Sequence, residues 1–237
     1  MCATKVLPAV ESPLLPRLIV AAVSLACAST LASAATCPSS QMAFHGSTVF
    51  SSTAAVFDSA EAGFPDFHVS YDLPQGKVSM SQPGFLSATF VEAADAYDLV
   101  GVAAGTAVNL TAQFMVDGSV STPGCGGTGC GGYVTIRISH GALFDEMRHS
   151  IHLFQGSQSF HDMRSIPVTI VAGAPEVLQF KLEGARTPGG AHASEATGTI
   201  LFAGLPLGAA VTSCQGYSIR ATPVRRASWG SIKSIYR

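Results

Sequence analysis

The feature that most constrains this chain is a repeated alternation of apolar and polar residues with a period of two. From Val108 to Val116 the apolar side chains occupy every second position, and the pattern recurs in segments 133–139 and 177–183. A period of two places successive side chains on opposite faces of a strand, so each segment predicts a strand with one buried face. Because turn residues separate such segments at short intervals, antiparallel pairing is favoured. We therefore expect an all-β, antiparallel two-layer β-sandwich that is jelly-roll-like and has little helix.

Further segments are predicted as strands from their apolar and β-branched content, and turn residues bound them. They are 43–57, 67–73, 77–81, 85–92, 150–154, 166–171, 198–202 and 217–221. The best helix candidate is Ala142 to Arg148, which is a turn or two long. Segments 99–108 and 202–211 also share an apolar-x-Gly-apolar-x-x-Gly-x-Ala-Val pattern. In each, a strand enters a turn bounded by glycines and a new strand leaves it, so we expect the two segments at equivalent corners of the sandwich.

The amino terminus predicts export. Lys5 and Arg17 precede an apolar run from Leu18 to Ala28, and small residues follow up to Ala34. This is the layout of a secretory signal peptide, assigned to residues 1–34, whose apolar run is too short to span a bilayer. The alternative that Cys27 is a lipid-modified first residue is disfavoured, because Ser24 stands where that signal requires leucine. The mature chain is expected to be secreted, extracellular or at the cell surface, with no transmembrane segment.

Composition and charge narrow the function classes. Only 12% of residues are charged, which excludes a coiled coil and a charged disordered tail. Between residues 36 and 220 there are 7 basic and 14 acidic side chains, a net of −7, whereas residues 221–237 carry a net of +4. An acidic body argues against nucleic acid as a partner. We expect one sandwich domain over 35–220 and a separate basic tail over 221–237.

Four cysteines remain after the leader, and an even number in an exported chain predicts disulfides. Cys125 and Cys130 flank a glycine-rich loop that can close on itself, so we pair them. Cys37 then joins Cys214 and links the start of the mature chain to its last strands. A metal site on Cys125 and Cys130 is the alternative, but the sequence lacks the second cysteine pair that such sites use.

Several segments together resemble a family. They are 102–114, 116–120, 166–170 ahead of 178–182, and 196–206. This succession resembles the β-sandwich ectodomains of exported bacterial proteins of the PEP-CTERM or choice-of-anchor kind. The Pro-Glu-Pro, apolar helix and basic cluster that end those proteins are absent. The resemblance implies an extracellular matrix or surface role, and it carries over no catalytic residues.

The tail has its own pattern. The ending Ser228-Trp-Gly-Ser-Ile-Lys-Ser-Ile-Tyr-Arg237 resembles short endings on uncharacterised exported bacterial proteins. Trp229, Ile232 and Ile235 or Tyr236 recur at a spacing that suits a short amphipathic helix, and Lys233 and Arg237 lie beside them. We expect Trp229, Lys233, Tyr236 and Arg237 to be recognised by attachment or sorting machinery. Contact with a membrane surface and a frayed end are the alternatives.

Metal ligands have two candidate groups. His149, His152 and His161 lie close in sequence with acidic residues among them, and imidazoles and carboxylates are the ligands that zinc or copper uses. The competing interpretation is an exposed polar loop and edge strand. Calcium has its own candidates, either Asp58, Glu61 and Asp66, or Glu92, Asp95 and Asp98 in one loop. Neither group has the EF-hand pattern, so no cofactor is expected, although calcium remains open.

No arrangement of residues specifies a reaction. Gly124, Gly126 and Gly129 spell G-x-G-x-x-G, but a predicted strand follows instead of the helix that phosphate binding needs. The serine motif G-x-S-x-G is absent. We therefore expect no enzyme and no catalytic residues, and we predict a surface or matrix component. The second interpretation is a jelly-roll module that binds carbohydrate, with a glycan as its partner.

Overall fold

The computed structural model describes residues 37–44, 48–59, 68–82, 88–122, 131–152, 156–186 and 193–221. Within these ranges the regular structure is all strand, which confirms the predicted class. The strands are β1 (Ser40–Phe44), β2 (Thr48–Ser52), β3 (Val56–Asp58), β4 (His68–Asp72), β5 (Lys77–Gln82), β6 (Ala88–Val100), β7 (Ala107–Ser121), β8 (Gly131–His140), β9 (Leu143–His152), β10 (Ser157–Val171), β11 (Glu176–Arg186), β12 (Ala193–Ala203), β13 (Ala210–Ser213) and β14 (Ser218–Arg220).

The strands form two antiparallel sheets. The first has eight strands in the order β14-β13-β6-β11-β8-β9, with β1 on β6 and β2 on β1. The second has six strands in the order β10-β7-β12-β5-β4-β3. Because all the pairs are antiparallel, the two-layer sandwich expected from the alternation is confirmed.

The pairing is that of a jelly roll. The hairpin β8–β9 lies innermost, and β7 pairs with β10, β6 with β11 and β5 with β12 around it. Successive pairs belong alternately to the first and second sheets, so a four-pair antiparallel ribbon is folded over into two layers.

The core lies between the two sheets and follows the alternation. Val134, Ile136 and Ile138 of β8 are fully buried, and so are Leu178, Phe180 and Leu182 of β11. From the second sheet, Leu110, Ala112, Phe114 and Val116 of β7 face them. Side chains at the intervening positions lie on the outer faces.

The helix predicted for 142–148 is wrong. Gly141 and Ala142 form a turn, and the residues from Leu143 onward belong to β9, which pairs with β8 over its whole length. β9 lies at one end of the first sheet, and most of its side chains are at least partly exposed on either face. Polar residues therefore occupy both faces, and the alternation that would have identified a strand is lost.

The single strand predicted for 43–57 is also wrong, because the structure divides this stretch among β1, β2 and β3. β1 and β2 form an antiparallel pair in the first sheet, while β3 pairs with β4 in the second. The segment carries small polar residues, and these give no turn signal strong enough to mark the breaks.

The two segments with the shared glycine pattern do lie at neighbouring corners. One joins β6 to β7 and the other joins β12 to β13, so both cross between the sheets. Gly101 and Gly208 have φ angles of 81° and 84°, which other residues rarely adopt. A Cβ on Gly101 would lie 2.3 Å from the carbonyl oxygen of Gly208. Glycine is thus required where the two corners touch.

Candidate functional site

The free edges of β9 and β10 lie side by side, and we call the polar side chains between them the seam: Asp145, His149, Asp162 and Arg164. His149 Nε2 lies 3.0 Å from Asp162 Oδ2. The His149 ring stacks on Phe160 with centroids 4.2 Å apart. Phe160 in turn lies over Gly118, where a Cβ would come within 2.4 Å of its Cζ. A glycine at 118 therefore makes room for the ring that supports the histidine.

Arg164 pairs with both carboxylates of the seam. Arg164 donates to Asp162 Oδ1 and lies 3.6 Å from Asp145. The Ser165 backbone N–H donates to Asp145 Oδ2 at 2.9 Å, so a carboxylate of β9 satisfies a donor of β10. Burial by itself raises the pKa of Asp162, but the hydrogen bonds from His149 and Arg164 outweigh it and hold the pKa below its ordinary value. The seam ties one sheet edge to the other.

The histidines predicted as metal ligands point to different places. His149 faces into the seam, whereas His161 lies on the outer face of the second sheet, 2.6 Å from Asp117. Adjacent residues on a strand point to opposite faces. Asp162, the partner of His149, therefore faces the seam, while its neighbour His161 faces outward and lies away from His149. The side chain of His152 lies outside the described part. No group of three potential ligands gathers among the side chains that the structure describes.

The residues of the two predicted calcium sets lie in strands where the structure describes them. Asp58 lies in β3, 3.6 Å from His68, while Glu61 and Asp66 lie outside the described residues. The second set, Glu92 with Asp95 and Asp98, was placed in one loop, and this placement is wrong because all of them belong to β6. Their alternation along the strand turns Asp95 inward and leaves the other two partly exposed.

Asp95 lies fully buried on the core side of β6. It accepts hydrogen bonds from the Ser213 hydroxyl and from the backbone N–H groups of Ala96, at 2.8 Å, and Gln215, at 3.2 Å. Desolvation raises the pKa of Asp95, and the three hydrogen bonds offset part of that rise. Burial also raises the pKa of the adjacent Tyr97, with a contribution from the Asp95 charge. Asp95 thus fixes the turn after β13 to the middle of β6.

The predicted bond between Cys37 and Cys214 is present, with Cα atoms 5.6 Å apart. β1 and β13 both pair with the same edge of β6, and these cysteines lie just before the one and just after the other. Beside the disulfide, Gln215 Nε2 donates to the carbonyl oxygen of Pro38 at 3.1 Å. Cys125 and Cys130 lie outside the described residues, as do Trp229, Lys233, Tyr236 and Arg237 of the tail.

The outer face of the first sheet carries three pairs of a cation and an aromatic ring, and we call it the aromatic–cation face. The Arg137 guanidinium lies 4.5 Å from the ring centroid of Phe144, and that of Arg148 lies 4.0 Å from the ring of Tyr133. The third pair, on neighbouring strands, joins the Lys181 ammonium to the Phe90 ring at 4.8 Å. Such pairs are attractive because the ring face is electronegative.

Acidic groups lie among these pairs. In the strand register Glu146 lies opposite Arg137, and Lys181 lies on the other side of Arg137. Lys181 makes an ion pair with Glu183 at 2.6 Å. Phe144 keeps 56% of its surface exposed despite its contact with Arg137. The face therefore combines exposed ring surface with charged donors and acceptors.

The outer face of the second sheet is chemically different. Hydroxyl side chains dominate it, and it has two shallow depressions that share Ser119 and Glu195. Ser119 donates to Glu195 at 3.2 Å, and the Thr169 hydroxyl donates to Asn109 at 2.7 Å. These groups are hydrogen-bonded to one another across strands.

Sequence reasoning missed the aromatic–cation face. Phenylalanine is usually buried, so the composition alone does not indicate an exposed aromatic surface. The available signal was the parity of Tyr133 and Arg137 with respect to the apolar residues of β8, which places both on the polar face.

Comparison with known proteins adds no relative: no family model matches the chain, and no curated protein matches it. Among the described residues, no helix has the length and apolar character needed to cross a bilayer.

Proposed function

We propose that the chain is an exported, non-enzymatic jelly roll that serves as a component of the cell surface or extracellular matrix, with residues 221–237 as its attachment or sorting tail. The observation that carries the proposal is the bond between Cys37 and Cys214. Disulfides persist in oxidising compartments and are rare in the cytosol. The signal-like residues 1–34 support the same compartment.

The charged side chains at the sheet edges support a structural role. β9 and β10 have the long free edges, and the seam directs charged side chains between them. Natural sheets use inward-pointing charges to prevent edge-to-edge aggregation. A protein that accumulates outside the cell at high local concentration benefits from such protection.

The contacts of the seam carboxylates support the proposal that the chain is not an enzyme. Asp162 is held by Arg164 and His149, and Asp145 accepts from the backbone of Ser165. These carboxylates are engaged in joining strands. Their contacts support a structural use of the cluster that would otherwise be the first place to seek acid–base chemistry.

The second candidate is a carbohydrate-binding module, and the aromatic–cation face favours it. Sugar-binding surfaces combine ring faces, onto which the C–H groups of a sugar stack, with polar groups that bind its hydroxyls. A fold by itself does not assign a function, so this candidate depends on the face and not on the jelly roll.

Cell fractionation tests the first proposal. The full chain, a deletion of residues 222–237 and the variant Lys233→Ala/Arg237→Ala would be produced in a bacterial host, with Ser231→Ala as the matched tail control. We expect the full chain and the control at the cell surface, with a Cys37–Cys214 peptide in non-reducing mass mapping. The two tail variants should be released into the medium.

Free thiols in a cytosolic protein would overturn the proposal. An unchanged surface location after the deletion would refute the role of the tail and leave the role of the body intact.

A further inference from the structure

We propose that the aromatic–cation face of the first sheet binds a neutral polysaccharide along the hairpin β8–β9. The inference deepens the carbohydrate-binding candidate and assigns it a site and a ligand class. It does not depend on where the chain is attached.

Two rings of the aromatic–cation face are accessible to a ligand. Phe144 is 56% exposed on an outer face, where a large apolar side chain gains nothing from the core. Tyr133 is partly exposed on the same face and presents both a ring and a hydroxyl. A sugar ring has an apolar C–H face and a polar rim, so it can stack on such a side chain while its hydroxyls reach the neighbours.

The spacing of the rings selects a polymer. Tyr133 lies opposite Ser150 in the register, six positions along β9 from Phe144. At about 3.4 Å per residue, the two positions are about 20 Å apart along the hairpin. One monosaccharide cannot contact both rings, whereas an extended chain of several sugars can.

The two arginines lie between the rings. Arg137 leans onto Phe144 and Arg148 leans onto Tyr133, in opposite directions along the hairpin. Neither guanidinium is within 4.0 Å of a carboxylate in the part of the chain that the structure describes. Each planar group is held over its ring and keeps N–H donors for hydroxyl oxygens.

The charges favour a neutral polymer. On this face Glu92, Glu146 and Glu183 balance Arg137, Arg148 and Lys181. Behind the face, the body from 36 to 220 has a net charge of −7, which repels acidic polymers. Interleaved acids and bases supply both acceptors and donors to hydroxyl groups, which can donate and accept.

The competing explanation is that the three pairs only stabilise the sheet, as cross-strand side-chain pairs do. The two explanations differ in what a ring deletion changes. Loss of a purely structural pair lowers the free energy of unfolding and leaves any polysaccharide affinity unchanged. Loss of a binding ring lowers the affinity of a folded protein.

Affinity electrophoresis of the purified full chain tests the proposal. Native gels would contain hydroxyethylcellulose, galactomannan, soluble starch or laminarin as neutral polymers, and alginate as an acidic one. We expect retardation by at least one neutral polymer and none by alginate. Phe144→Ala should raise the dissociation constant about tenfold, and Phe144→Ala/Tyr133→Ala should abolish retardation.

Two further variants separate binding from folding. Met163→Ala removes an equally exposed apolar side chain, 48% accessible, from the outer face of the second sheet and should leave retardation unchanged. Phe144→Trp keeps a ring and should retain binding. Near-ultraviolet circular dichroism would establish that each variant is folded.

Absence of retardation in all four neutral gels would overturn the inference, as would retardation confined to alginate. Undiminished binding by the folded double variant would overturn the assignment to this face. Since the assay uses purified protein, these results are independent of fractionation. A surface protein that binds no neutral polysaccharide would refute this site and leave the surface role standing.

Discussion

Asp95 is a carboxylate fully buried among strands, and its partners explain why it is tolerated there. One oxygen accepts from the Ser213 hydroxyl, and the other accepts from the N–H groups of Ala96 and Gln215. Removing such an acceptor leaves buried donors without a partner, which costs more than the hydrogen bonds contributed.

We expect Asp95→Asn to preserve this arrangement, because the amide oxygen can accept from both N–H groups and the amide nitrogen can donate to Ser213. The raised pKa of Asp95 means that the folded state binds its proton more tightly than the unfolded state does. Its contribution to stability is therefore largest below the unfolded pKa and is lost as pH rises through the folded pKa. The asparagine has no such pH dependence. As pH rises from 3 to 7, the free energy of unfolding of Asp95→Asn should therefore increase relative to that of the natural chain, measured by urea unfolding.

Asp95→Ala is the matched variant and should lose about 2–3 kcal/mol at pH 7, because its donors are left unpaired. Equal stability of the alanine and asparagine variants would contradict the role given to these hydrogen bonds.

Asp162 has the opposite linkage. Its pKa is lowered by the hydrogen bonds from His149 and Arg164, which outweigh burial, so it stabilises the fold above the unfolded pKa. That contribution is lost as pH falls through the folded pKa. We expect Asp162→Asn to cost about 1–2 kcal/mol at pH 7, with a difference that shrinks toward pH 2–3. A cost independent of pH in urea titrations would refute the ionic part of the seam.

Among the elements, strands with one buried and one exposed face could be predicted from sequence, while most of the edge strand β9 could not. The segments predicted around Leu110, Ile136 and Phe180 lie within β7, β8 and β11. A strand with one buried and one exposed face requires apolar residues at every second position, and this period is visible in the sequence. β9 carries polar side chains on both faces, so it lacks this period. The prediction for β6 ends too early, at residue 92, whereas the strand continues to Val100. Asp95 and Asp98 interrupt the apolar pattern there.

Strand packing also depends on glycines that no alternation identifies. Gly198 of β12 lies under the Phe114 ring, and a Cβ there would be 2.2 Å from Cε2. The ring packs edge-on against Phe180 of the opposite sheet, with centroids 5.4 Å apart. An added methyl group would push this contact between the two sheets apart.

We therefore expect Gly198→Ala to destabilise the fold by about 1–3 kcal/mol, the usual cost of overpacking a core. In a Phe114→Leu background the same change should cost at least 1 kcal/mol less, because a smaller side chain vacates the space. Thermal or urea unfolding of the four proteins gives the cycle. Additive effects would show that the two residues do not compete for space.

The whole molecule is closed by a bond between residues 177 apart in sequence, which fastens the two short strands that share one edge of β6. In the chain-entropy model a loop of this length contributes roughly 5 kcal/mol by restricting the unfolded chain. We expect Cys37→Ser/Cys214→Ser to lose up to that amount in urea unfolding. Cys125→Ser/Cys130→Ser, which would open a predicted loop of six residues, should lose only about 2 kcal/mol.

At this scale the sandwich and the long disulfide could be predicted, and the aromatic–cation face could not. Fold class follows from periodicity, and the pairing of Cys37 follows from elimination among few cysteines. A binding face depends on register, since Arg137 meets Phe144 only because β8 and β9 pair as they do. One residue of slippage would send the rings to the other side, and sequence does not fix that alignment.

The nested pairing has a consequence for how the chain is made. β5, β6 and β7 leave the ribosome before their pairing partners β12, β11 and β10 have been synthesised. Of these three pairs, β5 and β12 are the farthest apart in sequence, so the edge of β5 that pairs with β12 remains unpaired for the longest time. At 5–20 residues per second the delay is on the order of ten seconds. Throughout it, the amino-terminal half presents unsatisfied strand edges to the cell. We therefore expect newborn chains to depend on a holding chaperone until β12 has emerged and can pair with β5.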